Sequence, residues 1–163
     1  MVEPWLRGTL TEVDAVRRQV LHALVLTCED AEHWCAPLTD AQVNARPFTL
    51  APVAFHLRHI ARSLDRLLTY AEGHALTPEQ HAALASELAP DAVAAQVMEE
   101  FRAALASAEA RILALAPATF EQPRFVGRQR LPTTVAGLLI HCAEHTQRHI
   151  GQAIITAKVI VQI

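Results

Sequence analysis

Apolar side chains recur at helical spacing in four long runs of this chain, with proline and glycine between them. Leu10, Val13, Val16, Val20, Leu24 and Cys28 form one stripe. They predict a first helix from about Thr9 to Cys35, stopped ahead of Pro37. In the segment PLTDAQVNARPF that follows, Thr39 is placed to cap a short turn that Pro47 closes. The second long helix is predicted over about Leu50 to Glu72, with Gly73 as its stop. Its first half is apolar nearly all round, and Arg62, Asp65 and Arg66 bring charge later. Thr77 and Pro78 read as the cap and first residue of a short helix that Pro90 breaks. A third long helix is predicted over about Asp91 to Leu115, with Val93, Val97, Phe101, Leu105, Ala108 and Ile112 on its inner face. Residues 117–132 read as irregular and hold Arg124, Arg128 and Arg130. The fourth helix begins near Thr133 or Thr134 and runs toward the C-terminus.

Helices of this length bury their stripes against one another, so the expectation is an all-α four-helix bundle, one domain over residues 1–163. Composition agrees: 52% of residues are hydrophobic, alanine and leucine dominate, and glycine is sparse. The formal net charge is −3 and no basic cluster could track a phosphate backbone, so a nucleic-acid partner is not expected. Three cysteines without a framework spacing, Cys28, Cys35 and Cys142, read as reduced thiols. No secretory leader pattern opens the sequence, and no apolar run reaches the roughly 18–20 residues of a membrane span. A cytoplasmic protein with no membrane partner is the expectation.

The stretch HCAEHTQRHIGQ, residues 141–152, changes the picture. His141, His145 and His149 stand four apart, so successive rings are offset by only about 40° around a helix. Two imidazoles at this spacing suit one metal ion. All three would span about 80° and about 12 Å, too far for one ion to collect, so one pair would bind and the third would stand beside it. Spacing alone does not choose between the two pairs. Cys142 falls on the same side as a soft ligand or a small apolar filler. A site needs a further ligand, and His56 and His59 in the second helix share a face. No carboxylate has helical register with these histidines: Glu144 is about 100° from His145, and Asp65 is off the face of His59.

The two segments LTDAQVNARPFTLAPVAFHLRHIARSLDRLL and LLIHCAEHTQRHIGQ together resemble the DinB-like superfamily, over nearly the whole chain. The resemblance implies a four-helix bundle of up-down-down-up order with a three-histidine site for a divalent metal. The family's most specific element is a histidine, three residues, a histidine, then usually Arg-Gly-Gln. Here it is His145, Thr-Gln-Arg, His149, Ile-Gly-Gln. That match implies His145 and His149 as ligands, and the alignment of the second helix implies His59 ahead of IARSLDR. Ile150 departs from the usual arginine, and Phe55 stands in for a tryptophan common near the start of the second helix. His56 and His141 become neighbours of the ligands. Gln152 is placed to hydrogen-bond a ligand histidine across the bundle, or else to lie exposed. Gly151 would be tolerated if something packs tightly against it. The implied function is a metal-dependent transferase acting with a low-molecular-weight thiol of the bacillithiol, mycothiol or glutathione type, on zinc or nickel. Arg124, Arg128 and Arg130 would meet the acidic thiol. The alternatives are a metal-dependent hydrolase and a stress-associated binding protein with a structural or vestigial metal. A small-molecule substrate and a homodimer are implied as partners.

Overall fold

The computed structural model describes residues 2–162. Six helices carry the fold: α1 (Ala15–Trp34), α2 (Asp40–Asn44), α3 (Val53–Ala71), α4 (Pro78–Ala85), α5 (Ala94–Ala114) and α6 (Val135–Ile160). A hairpin of two short strands, β1 (Pro123–Val126) and β2 (Leu131–Thr134), precedes α6.

Helix ends follow local chemistry. The Asp14 side chain accepts from the backbone N–H groups of Val16 and Arg17, so α1 starts at Ala15 rather than near Thr9. The apolar stripe continued to Leu10 because Leu10 and Val13 still pack on the core from outside the helix. Pro52 precedes α3, three residues beyond the expected start, and Leu50 is left partly exposed. Asp91 takes a φ of 59°, which delays α5 to Ala94. Thr39 and Thr77 each form a reciprocal capping box, with Gln42 and Gln80.

The expected irregular stretch before α6 is the main correction to the sequence reading. β1 and β2 pair antiparallel, Phe125 opposite Pro132, around a turn in which Gly127 and Arg130 have φ of 69° and 51°. A proline in each strand hid this ribbon. Proline is tolerated here because a two-stranded ribbon has only edges.

Each long helix packs on two others: α6 on α3 and α1, and α5 on α3 and α1. Cross-helix pairs give their directions. His56 meets His149 and His59 meets His145, so α3 and α6 run antiparallel. Arg62 bonds Glu100 and Arg111 bonds Glu72, so α3 and α5 run parallel. Arg102 bonds Glu32 while Arg17 reaches the Leu113 carbonyl, so α1 and α5 are antiparallel. Gln147 reaches the Ala23 carbonyl and Lys158 lies over Trp34, so α1 and α6 are parallel.

The buried apolar side chains of the four long helices form one cluster, in which Leu57, Ile60, Leu64, Phe101, Ile112, Leu139 and Ile150 are fully enclosed. Each such side chain contributes about 1.5–3 kcal/mol by leaving water. That cluster fixes the register of α3 against α6, and the register places the histidines. Among the described residues no helix is long and apolar enough to cross a membrane.

Candidate metal centre

The antiparallel pairing of α3 and α6 brings histidines from two distant parts of the chain to one place. His59, His145 and His149 each offer a ring nitrogen, and the three atoms lie within 4.8 Å of one another. The Nε2 atoms of His59 and His145 are 3.1 Å apart. His141 touches His145 ring to ring at 5.5 Å between centroids, but it lies outside the group and faces Glu144. Of the three-histidine column, the pair 145–149 is the one that meets His59.

The outward nitrogens are held in turn. His59 Nδ1 lies 2.6 Å from Glu87 Oε2, and Arg66 donates to Oε1 of the same carboxylate at 2.9 Å. Burial pushes the Glu87 carboxyl up, but the bonds from His59 and Arg66 outweigh it and hold it below its ordinary value. An ionised Glu87 only accepts, so His59 carries its proton on Nδ1 and turns the Nε2 lone pair inward. His149 Nδ1 lies 3.2 Å from Nδ1 of His56, which leaves His149 Nε2 for the group. Burial first, and the neighbouring histidines second, push His56 and His145 down to about 4. His149 falls to about 4 for the same leading reason. These three rings are therefore neutral near pH 7, with lone pairs available.

This donor set fits a divalent cation. Three imidazoles converge, two of them with the second nitrogen already engaged, as ligating histidines generally are. The buried Nδ1 of His145 has no partner among the described residues. Phe55 stacks on His59 at 5.3 Å and turns its edge to His149, giving the group an apolar cover on one side.

Residues 23–153 match the family description "DinB superfamily". The chain belongs to the DinB superfamily. Among solved structures it is similar to a conserved Enterococcus faecalis protein at 17% identity. The TM-score is 0.75, over 93% of this chain and 100% of that one, a likeness of fold. None of the curated proteins compared with the sequence matches it.

Several residues of this DinB-superfamily chain stand elsewhere than the sequence suggested. Cys142 is fully buried in the core, where burial pushes its thiol up to about 12, so it fills space and is no ligand. Gln152 is exposed, and His56 takes the place beside His149 that Gln152 was expected to fill. No atom of the chain outside α6's own backbone comes within 4 Å of where a Gly151 Cβ would stand, so tight packing does not explain that glycine. Arg124 bonds the Ala71 carbonyl, at the end of α3 about 18 Å along the axis from His59. Arg130 lies over Phe125 in the same hairpin. Arg124 thus braces the end of α3 away from the histidines, and Arg130 stacks within its own hairpin.

Glu87 was missed. It lies between α4 and α5, outside every helix whose register could be tested, and it is 5% exposed. One signal existed. Arg66 is seven residues from His59, two turns along the same face, and a cation there needs a counter-charge.

Proposed function

We propose that this protein holds one divalent cation on His59, His145 and His149. We further propose that it works as a metal-dependent transferase for a low-molecular-weight thiol, with zinc or nickel as the ion. The observation that carries this reading is the convergence of three ring nitrogens within 4.8 Å, with Glu87 and His56 behind two of them. An ion held by three neutral ligands keeps its full charge and makes a thiol or water acidic enough to be a nucleophile near pH 7.

The chain's own residues supply orientation and shielding. Glu87 fixes the tautomer of His59, and Arg66 keeps Glu87 ionised. His56 fixes His149, and Phe55 limits water on its side. Transfer to a thiol is favoured over hydrolysis because both oxygens of the one carboxylate at the site are taken, by His59 and Arg66. That leaves no free carboxylate there to activate water. A single domain with the up-down-down-up order of a four-helix bundle is part of the proposal, supported by the helix directions given above. So is a homodimer, supported by the apolar Ile140 and Val161 that α6 and the residue after it leave exposed.

The test is metal content by elemental mass spectrometry on tag-free protein, after loading with zinc or nickel. About one ion per chain in the wild type, lost in His59→Ala, His145→Ala and His149→Ala, is expected. A wild type that stays empty after loading sinks the reading.

A further inference from the structure

The hairpin before α6 carries a concentration of charge that the histidine centre does not use. Arg124, Arg128 and Arg130 fall within seven residues of a chain whose formal net charge is −3. Two of them, Arg124 and Arg130, line a cleft of about 420 Å³ between the hairpin and the end of α3. Tyr70, His74 and Phe125 share its walls, and no carboxylate does. Glu72, one residue before Gly73, turns both oxygens to Arg111 instead. The cleft lies about 18 Å along α3 from His59, so ion binding there explains none of it.

Both guanidinium groups are held in place and still have donors to offer. Arg124 donates from Nε to the Ala71 carbonyl at 2.8 Å, and from its terminal nitrogens to the Pro123 carbonyl at 3.0 Å and Gln122 Oε1 at 3.4 Å. Two of its five N–H groups stay uncommitted. The bond to Ala71 also answers the negative carbonyl end of α3, which would otherwise repel an anion. Arg130 lies 4.5 Å over the Phe125 ring, and its guanidinium forms no hydrogen bond with any described residue. Arg130 holds a φ of 51°, where glycine fits with less strain, so the backbone alone does not call for arginine there. Cations gathered around one cleft without a counter-charge are an electrostatic cost that a bound anion removes.

We propose that this cleft binds a small phosphate monoester, with the phosphate between Arg124 and Arg130 and the apolar body against Tyr70 and Phe125. A carboxylate brings two oxygens and a single charge. A phosphate monoester brings three oxygens and about two charges at pH 7, enough to meet two guanidinium forks at once. The Tyr70 hydroxyl and the His74 ring are further donors on the same walls. Phe125, 44% exposed, and the Tyr70 ring offer an apolar surface beside them. The proposal is independent of the metal reading.

The probes are benzyl phosphate, 3-phenylpropanoate and inorganic phosphate, titrated calorimetrically into the whole protein at pH 7 in phosphate-free buffer of low salt. Benzyl phosphate should bind about tenfold more tightly than 3-phenylpropanoate, which lacks the third oxygen and second charge. It should bind about tenfold more tightly than inorganic phosphate, which lacks the apolar body. Arg130→Gln should weaken benzyl phosphate by about tenfold. Arg128→Gln should leave its affinity within about twofold, because Arg128 stands in the same turn but does not line the cleft. His59→Ala should bind it as the wild type does. No binding to the wild type overturns the proposal. So does equal affinity for either of the other probes. Equal losses in Arg128→Gln and Arg130→Gln would reduce the hairpin to a basic loop that attracts anions at large. Loss of binding in His59→Ala would move the phosphate to the histidines. Either of these results also overturns the proposal.

Discussion

Glu87 Oε2 lies 2.6 Å from Nδ1 of His59 and accepts a hydrogen bond from it, although the two stand 28 positions apart with a short helix between them. This bond decides which nitrogen of His59 faces inward. It also makes Glu87, itself no candidate ligand, the residue outside the three histidines whose loss the ion should feel most.

Glu87→Gln should lower metal affinity by about 10- to 100-fold, the usual scale for a partner behind a ligating histidine. A competition titration against a chromophoric chelator measures this. An affinity equal to wild type would mean that Glu87 serves only Arg66.

His141→Ala should keep the full ion, whereas His145→Ala should lose it. His141 lies on the same helix stripe but outside the converging group, against Glu144. Elemental analysis of the two variants side by side is sufficient, and loss of metal in His141→Ala would move the site one turn along α6.

The metal-free protein should lose stability as pH falls from about 6.5 to about 4. An unfolded chain takes up a proton on each histidine near 6.5, whereas His56, His145 and His149 resist until about 4. Over that interval the unfolded state holds more protons, so falling pH favours it. Below about 4 both states are charged and the effect levels off. For His56, which is 4% exposed, the complete difference corresponds to roughly 3 kcal/mol. Urea melts at several pH values would show the midpoint falling across this interval, and a flat midpoint would contradict the burial of these rings.

Cys35 and Cys142 should be inert to a disulfide reagent at pH 8 in the native protein and fully reactive in denaturant. Burial holds both thiols at about 12 and encloses them. Cys28, half-buried, should react slowly because its thiol is also pushed up, first by burial and then by Glu32. Rapid modification of Cys142 would require α6 to open.

The long helices were legible because their stripes are pure and their burial one-sided, as in Val97, Phe101, Leu105 and Ile112. Their ends were less so. Leu10 and Val13 keep the apolar period while lying outside α1, so period alone overran the cap at Asp14. The hairpin at 123–134 was hidden because Pro123 and Pro132 argue against strands wherever both edges must pair. At the site, histidine spacing on α6 offered two equivalent pairs, and family resemblance pointed to the one that faces His59. Glu87 was beyond reach of any spacing argument, since its place depends on how the segment after α4 folds back onto α3.

The antiparallel meeting of α3 with α6 has a mechanical consequence. His59 and His145 are 86 residues apart in sequence, so an ion shared between them closes a loop holding more than half of the chain. Such an ion acts as a removable clasp. By analogy with a covalent cross-link over a loop of that length, closing it takes on the order of 4–5 kcal/mol of entropy from the unfolded chain. A chelator would then work on this protein as a mild denaturant, and the supply of metal in the surroundings would help set how long each molecule stays folded.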